Sequence, residues 1–269
     1  MAKQKRLAVI ADPHSGHRVG LTHPDYQWKV PTLTAHIWTK VARIQRECWR
    51  WYAKTVKALR PVDVLLVNAD CIDGRGERSG GVELITGDRA EQVEIAARVI
   101  ELWGAKVVIM TRGTPYHTGT EEDWEDVLAR RVRARKIGDH EWIDLNGIVF
   151  DFKHHVGRST IPHGQFTPQA RDWLWNALWA EAGYQPRADW IVRSHVHYAR
   201  WCGGMRGGRE WHATTTPALQ AMGTRYGARY CSNLVDFGLM HWDVDGKGGV
   251  DWHKHIPKVL SQEARALKL

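Results

Sequence analysis

The stretch LAVIADPHSG, residues 7–16, begins as an apolar β-strand and ends in polar side chains. Asp12 and His14 follow the apolar run with only a proline between them. A carboxylate and an imidazole are costly to remove from water unless each finds a partner. Other parts of the chain must therefore supply partners for both residues.

Strands and helices alternate after this first strand. The expected elements are, in chain order, a helix over 37–59, a strand over 63–70, a helix over 88–104, a strand over 106–113 and a helix near 121–136. The helices are recognised by apolar residues at intervals of three or four, and the strands by short apolar runs. This order predicts a parallel sheet with right-handed crossovers.

The second half of the chain is richer in strand patterns. The expected elements are a strand over 147–155, a helix over 167–183 and short strands over 189–197, 199–204, 209–214, 236–244 and 249–255. Several Gly-containing joins separate the short strands, as in antiparallel arrangements. This half predicts a second, largely antiparallel sheet that packs on the first.

Composition restricts the class of protein. No linker, repeat or low-complexity tract divides the 269 residues, so we expect a single domain over 1–269. No apolar run is long enough for a transmembrane helix, and the four cysteines show no CxxC spacing. These features favour a reduced, cytoplasmic protein without a membrane partner. The net charge of +8 favours polyanionic partners, and the oligomeric state stays open.

Potential metal ligands cluster at the ends of five predicted strands. They are, in order, Asp12 and His14, Asp70 and Asp73, Thr114 and His117, His154 and His155, and His195 and His197. Residues i and i+2 of an extended segment point the same way, so each D-x-H or H-x-H pair presents two ligands to one side. Ligands bind beyond the carboxyl ends of strands in open α/β sheets. A cluster of carboxylates and imidazoles there predicts metal ions, whereas His253 and His255 are expected by chance among fifteen histidines.

The order of these motifs resembles that of the calcineurin-like metallophosphoesterase superfamily. The superfamily pattern is D-x-H, G-D-x-x-D, G-N-H-(D/E), a lone His and G-H-x-H. The matching segments are DPH, ADCID, GTPYH, KHH and SHVH, from residue 12 to residue 197. The tryptophan-rich build further resembles calcineurin-like proteins found in phage and prophage. The resemblance implies an α/β fold, a four-layer α-β-β-α sandwich of two mixed sheets.

The resemblance also implies two sets of ligands. The first metal ion would be held by Asp12, His14, Asp70 and His197, and the second by Asp70, Thr114, His154 and His195. His155 is the alternative to His154, because the doubled histidine leaves the register open. His117 corresponds to the histidine that protonates the leaving group, displaced by the inserted Pro115 and Tyr116.

Three positions depart from the superfamily pattern. Ala69 and Ser194 stand where the pattern has Gly, and both are small. Thr114 stands where the pattern has Asn, which lends a carbonyl oxygen to the metal. A neutral hydroxyl is a poorer ligand, so weaker or water-mediated binding of the second ion is expected.

The expected cofactors are two divalent transition-metal ions, with Mn first and Fe, Zn, Ni or Co as alternatives, because mixed Asp/His ligation suits such ions. Two ions ~3.5–4 Å apart activate a shared water for in-line attack on phosphorus. This predicts a phosphodiesterase that uses a metal-bridging hydroxide. Arg75 and Arg78 of the loop GRGERSGG and His155 are candidate substrate contacts, although both arginines could instead be solvated.

The leading hypothesis for the substrate is DNA or RNA. A basic face on the 37–59 helix and the segment ARRVRARK, residues 129–136, offer contacts to a polyanion. The alternative enzyme is a phosphatase or phosphodiesterase for small phosphomonoesters or cyclic nucleotides. A nucleic-acid-binding protein with a vestigial site is the hypothesis from outside the enzymes.

Overall fold

The structure is a computed structural model that describes residues 3–28, 35–119, 123–224, 234–263 and 266–268. Side chains are described for these residues except 35–38 and 78. The helices and strands are β1 Lys5–Ile10, α1 Ala35–Leu59, β2 Val64–Asn68, α2 Arg89–Glu101, β3 Val107–Thr111, α3 Pro115–Thr118, α4 Trp124–Arg131, β4 Lys136–Gly138, β5 Glu141–Leu145, β6 Ile148–Phe152, α5 Thr167–Glu181, β7 Trp190–Arg193, β8 Arg200–Arg206, β9 Arg209–Thr215, β10 Leu239–Val244 and β11 Val250–His255.

Two mixed sheets form the centre of the fold. The first has the strand order β11-β10-β1-β2-β3-β4, and the second has the order β5-β6-β7-β9-β8. Strands β1 to β4 are parallel to one another, while β10 runs antiparallel to β1. In the second sheet β6, β7 and β9 are parallel, and β5 and β8 are antiparallel at its edges.

Alternate residues of each strand point to opposite faces of its sheet. The buried apolar residues therefore form three clusters, which lie between four layers. Leu7 and Val9 of β1 pack against the second sheet, whereas Ala8 and Ile10 face α1 and α2. On β7, Val192 faces the first sheet and Ile191 faces Trp173 of α5. Because each sheet buries both faces, its strands read as continuous apolar runs. The predicted α/β fold, with two mixed sheets and helices outside them, is confirmed.

Two features of the sheets differ from the prediction. The segments over 236–244 and 249–255 were expected in the second sheet, but β10 and β11 extend the first sheet beyond β1. A strand pattern does not specify which sheet edge a hairpin joins. Here β10 pairs with β1 from Lys5 to Val9, and the side chain of Arg6 bonds both carboxylate oxygens of Asp243 at 2.7 and 2.6 Å across this pairing. With β6, β7 and β9 parallel, the second sheet is also not largely antiparallel.

The expected helix near 121–136 is shorter than predicted. It is α4 over Trp124–Arg131, and the residues after it form the edge strand β4 and then β5. Asp123 caps α4 by accepting a bond from the backbone of Glu125. No helix in the described part of the chain is long and apolar enough to cross a membrane.

Candidate metal centre

The candidate ligands lie where strands of both sheets end at the same edge of the sandwich. Asp12, Asp70, His154 and His195 each stand two residues beyond the last residue of β1, β2, β6 and β7, respectively. The loops after four buried strands therefore converge. Two of these strands belong to the first sheet and two to the second, so the centre straddles both.

The backbone at the ligands is left-handed rather than extended. Positive φ angles occur at Asp12 (50°), His14 (43°), Asp70 (46°), His195 (70°) and His197 (57°). Non-glycine residues rarely adopt this conformation, which costs on the order of 1–2 kcal/mol each. The expectation that strand alternation aligns each pair is therefore wrong, because tight turns aim these side chains instead. Strain concentrated at polar residues is typical of a functional site.

Asp12, His14 and His197 form the first group of ligand atoms. Each offers one atom within 4.8 Å of the others. Nε2 of His197 lies 3.2 Å from Oδ1 of Asp12, and Nε2 of His14 lies 3.2 Å from Nε2 of His197. The other ring nitrogen of His14 lies 3.1 Å from the carboxylate of Asp73, which orients the ring. This matches the first ligand set implied by the resemblance, apart from Asp70.

Asp70, His154 and His195 form the second group. Oδ2 of Asp70 lies 3.0 Å from Nε2 of His154 and 3.8 Å from Nδ1 of His195. Asp70 also lies within 4.8 Å of His14, so it stands between the two groups as a bridging ligand must. The neighbouring His155 is exposed and lies against the ring of His195, so the structure directs His154 toward the carboxylates.

Two buried atoms of the centre lie where a cation, either a proton or a metal ion, would stabilise them. Nδ1 of His154 lies 2.8 Å from the carbonyl oxygen of Asn68, which can only accept, so Nδ1 carries the hydrogen. In the neutral ring the lone pair of Nε2 then faces Oδ2 of Asp70 at 3.0 Å and Oδ1 of Asp12 at 3.8 Å. Neither this Nε2 nor Oδ1 of Asp12 has a hydrogen-bond partner among the described residues. Acceptors that face one another in a buried site fit a bound metal ion.

The electrostatics of the centre agree with this arrangement. Burial acts to lower the pKa of His154, but the charges of Asp70 and Asp12 outweigh it and raise the pKa to about 10. A proton on His154 thus takes the place of a metal ion. Burial and the neighbouring His117 and His197 hold the pKa of His14 well below its usual value, which keeps its lone pair free for an ion.

Thr114 uses its polar groups on Asp70. Its backbone N–H donates to Oδ1 of Asp70 at 2.7 Å, and its hydroxyl lies 3.0 and 3.1 Å from the two carboxylate oxygens. Gly113 permits this contact, because a Cβ there would lie 2.1 Å from Oδ1 of Asp70. Thr114 thus orients a candidate ligand, while its own binding to the metal remains a prediction.

His117 lies beside the ligands in the short helix α3. Its ring packs edge-on against His14 with centroids 4.5 Å apart, and Nδ1 lies 3.0 Å from the carbonyl oxygen of Asp73. That carbonyl requires Nδ1 to carry a hydrogen, so Nε2 is the nitrogen that can exchange a proton. A nitrogen of His117 also lies within 4.8 Å of ligand atoms of His14 and Asp70.

The candidate substrate contacts lie at the rim. Arg75 is exposed in the loop that follows Asp73, and this loop is close to α3, since a Cβ on Gly74 would lie 2.6 Å from the carbonyl oxygen of His117. The side chain of Arg78 lies outside the described part of the structure. Arg75 and His155 therefore border the centre, and their contact with substrate remains a prediction.

Glu125 supports the centre and was not identified from the sequence. It is fully buried, and its two carboxylate oxygens accept the backbone N–H groups of Cys71 at 2.8 Å and Gly113 at 2.6 Å. Burial, and after it the charge of Asp70, raises the pKa of Glu125 to about 8. Glu125 thereby ties the loop after β2 to the loop after β3. A single Glu in a helix carries no motif that would reveal this role.

A polar network lies directly beneath the ligands and joins the two sheets. The amide of Asn68 donates to the hydroxyl of Ser194 at 2.6 Å, and Thr111 donates to the other end of the same amide at 2.6 Å. Ser194 also lies 2.8 Å from the hydroxyl of Thr216. The Ser that stands in place of Gly thus supplies the hydroxyl through which the two sheets are bonded.

Comparisons with known proteins give similarity in structure only. No protein-family profile and no curated protein sequence matches this chain. Solved structures similar to it include a predicted phosphoesterase from Streptococcus pneumoniae, with 8% identity over 96% of this chain and 100% of that chain and a TM-score of 0.38. An archaeal phosphodiesterase has 11% identity over 93% of this chain and 99% of that chain, with a TM-score of 0.42. The E. coli phosphoesterase Yfce has 14% identity over 92% of this chain and 98% of that chain, with a TM-score of 0.41. Similarity at this level does not assign an activity, so the function is inferred below from the side chains.

Proposed function

We propose that this protein is a metal-dependent phosphoesterase that hydrolyses phosphodiesters, with DNA or RNA as the substrate. The observation that carries the proposal is the buried meeting of Asp12, Asp70 and His154, whose facing acceptor atoms fit a cation. His14 and His197 complete the first group with Asp12, and His195 completes the second group with Asp70 and His154. Asp70 also lies close to His14 of the first group. Two adjacent sites of this composition suit phosphoryl chemistry better than a single structural ion.

The chain's own residues have distinct tasks in this reaction. Two bound divalent ions supply an activated water and neutralise charge on the phosphoryl oxygens. Asp73 and Asn68 fix the rings of His14 and His154, and Thr114 fixes the carboxylate of Asp70. His117, with Nδ1 held by a carbonyl oxygen, presents Nε2 as the proton donor for the leaving oxygen. Mn is the first expectation for the metal, with Fe, Zn, Ni or Co as alternatives, because mixed Asp and His ligands suit divalent transition-metal ions without selecting one of them.

The basic face of α1 supports a polyanionic substrate. The exposed cations on this helix are Lys40, Arg43, Arg50, Lys54 and Lys57. The helix has 25 residues and is therefore roughly 37 Å long. Gln45 bonds the backbone of Arg18 in the loop after the first ligands, while Leu59 bonds Arg6 at the far end of the sheet. The helix thus extends from the rim of the centre to the opposite end of the sandwich.

The second basic segment, residues 129–136, is partly neutralised. Arg131 pairs with Glu94 at 2.8 Å and with Glu101 at 2.6 Å. Lys136 pairs with Glu141 at 2.6 Å. We therefore assign the contact with nucleic acid to α1 rather than to this segment.

A substrate panel tests the activity. Purified protein with Mn²⁺ is assayed on an aryl phosphomonoester, an aryl phosphodiester, a cyclic nucleotide, DNA and RNA. We expect hydrolysis of diesters and cleavage of nucleic acid, and Asp70→Asn should abolish both. Asp144→Asn is the matched control, because it makes the same change at an exposed carboxylate on β5. Turnover of the monoester alone would favour the small-molecule phosphatase, and binding of nucleic acid without turnover would favour a vestigial site.

Paired charge variants test the nucleic-acid surface. Arg43→Gln/Arg50→Gln should weaken cleavage of nucleic acid and reduce its salt dependence by about one unit of slope for each phosphate that these arginines neutralise. Hydrolysis of the aryl diester should not change. Arg133→Gln/Arg135→Gln is the control at two exposed arginines of the other segment. Equal effects of the two pairs would contradict the assignment to α1.

A further inference from the structure

A second cluster of histidines and carboxylates lies on the outer face of the first sheet, at its β10–β11 edge. In this antiparallel pair His241 stands opposite His253, and Asp243 stands opposite Asp251. The intervening Trp242 packs between the two sheets, so these four side chains project from the other face. None of them belongs to the loops that form the candidate metal centre.

The cluster has the spacing of a ligand set. The rings of His241 and His253 are stacked, with centroids 4.4 Å apart and an interplanar angle of 7°. His241, Asp243 and His253 each offer a ligand atom within 4.8 Å of the others. Nε2 of His241 lies 3.9 Å from Oδ2 of Asp243. One ion can bridge this gap, since two atoms each ~2.1 Å from an ion are separated by at most ~4.2 Å.

Each candidate ligand is already oriented by a neighbour. Nδ1 of His241 lies 2.8 Å from Nε2 of His255, which leaves Nε2 of His241 for an ion. Asp251 lies 3.0 Å from Nε2 of His253, and Arg6 bonds both oxygens of Asp243 at 2.7 and 2.6 Å. Such hydrogen bonds to ligating side chains are typical of metal sites, where they fix ring orientation.

We propose that His241, Asp243 and His253 bind one divalent transition-metal ion at a site separate from the candidate metal centre. His255 and Asp251 act as positioning residues for the two imidazoles. Two imidazoles and one carboxylate suit Zn²⁺, and the partial exposure of His253 leaves room for a water as the fourth ligand. The ion ties the last strand, β11, to β10 and, through Asp243 and Arg6, to β1.

The number of Zn²⁺ ions bound per chain tests the proposal. Full-length protein and variants are dialysed against Zn²⁺, and protein-bound zinc is measured by elemental analysis. His253→Gln should bind one ion fewer than the unmutated protein, whatever number the candidate metal centre holds. His255→Gln should keep the ion but bind it ~10–100-fold more weakly. His163→Gln, at an exposed histidine that belongs to neither cluster, should bind as many ions as the unmutated protein. Equal numbers of ions in the unmutated protein and in His253→Gln would overturn the proposal.

A second measurement uses the unmutated protein, so a folding defect cannot mimic the result. Diethyl pyrocarbonate modifies exposed imidazoles, and the side chain of His253 is 41% exposed. Zn²⁺ should protect His253 from modification, as read by mass spectrometry of the peptide that contains it, while His163 should stay reactive. Unchanged modification of His253 at saturating Zn²⁺ would exclude the site, even if the candidate metal centre binds zinc.

Discussion

The sequence contains the pattern His-x-His at 195–197 and again at 253–255, and the two copies are built differently. His195 and His197 lie beyond the end of β7 with φ angles of 70° and 57°, and they join different ligand groups. His253 and His255 lie within β11, and both rings approach the same partner, His241. A strand places alternate residues on one face at no cost, whereas the first copy requires strained turns. The same His-x-His spacing therefore places two histidines in separate ligand groups at 195–197 and two histidines against the same partner, His241, at 253–255.

The largest expected effect is on turnover. His195→Gln/His197→Gln removes one ligand from each group of the centre and should abolish detectable hydrolysis of a phosphodiester. His253→Gln/His255→Gln makes the same change in the other copy and should alter turnover little. The measurement is the initial rate at which the unmutated protein and each double variant hydrolyse one aryl diester. If the two pairs lose similar activity, the copies do not differ in function.

His117 sharpens the contrast, because it lies beside the ligands of the centre with Nδ1 held by the carbonyl oxygen of Asp73 and Nε2 free to donate a proton. A positioned imidazole contributes ~10²–10⁴-fold when it protonates a poor leaving group, and far less for an activated one. We expect His117→Ala to lower turnover of a natural phosphodiester by at least ~10²-fold and that of a nitrophenyl ester only slightly. Metal content is measured alongside. Loss of metal in this variant would make His117 a ligand rather than the acid.

Two histidines, His154 of the centre and His241 of the β10–β11 cluster, should contribute opposite pH dependence to the stability of chelator-treated protein. Burial opposes but Asp70 and Asp12 raise the pKa of His154 to about 10, from an ordinary value of 6.5. The folded chain then keeps a proton that the unfolded chain releases, so the free energy of unfolding falls as pH rises from 6.5 to about 10. Burial, with His255 and His253, lowers the pKa of His241 to about 4, so stability instead rises from pH 4 to 6.5.

Urea unfolding of the unmutated protein and of each variant across this pH range measures the contribution of each histidine to the slope, which is at most ~1.4 kcal/mol per pH unit. His154→Gln should flatten the alkaline side only, and His241→Gln the acidic side only. A variant that flattens both sides would show that the clusters are not independent.

The smallest expected effect is on the free energy of unfolding. It has opposite signs at His195, which lies in a left-handed turn, and at His253, which lies in a strand. Asn tolerates the left-handed conformation better than His, so His195→Asn should raise the free energy of unfolding of metal-free protein by up to ~1 kcal/mol. Asn is disfavoured in strands, so His253→Asn should lower it by a similar ~1 kcal/mol at most. Chemical denaturation in a chelator measures both. Stabilisation by both variants would mean that left-handed strain at His195 is not the cause.

Much of the fold followed from apolar patterns in the sequence. The crossovers from β1 to β3 were predictable because each strand reads as an apolar run and each helix carries a periodic face. The placement of β10 and β11 was not, since it depends on the pairing of β10 with β1, two segments separated by most of the chain. A local pattern contains no information about such a partner.

The convergence of the ligands was also predictable, while their geometry was not. Asp12, Asp70, His154 and His195 all follow apolar strands, and parallel strands end at one edge of a sheet. The left-handed turns were missed because the D-x-H and H-x-H pairs were interpreted as extended strand, although Asp and His adopt positive φ more often than most residues. Glu125 was missed because its role arises from burial between two loops, which no spacing in the sequence records.

The hydrogen bond between Asn68 and Ser194 has a consequence for the order of folding. Asn68 precedes Asp70 by two residues, and Ser194 immediately precedes His195, so the bond sets the separation of ligands that come from different sheets. The first group and the second group each combine Asp12 or Asp70 with a histidine that follows β6 or β7, so each of them needs both sheets, whereas His14, Asp70 and His117 all follow strands of the first sheet. Metal uptake by both groups during refolding should therefore be completed only when the two sheets dock, and the rate of this last uptake would report that docking step.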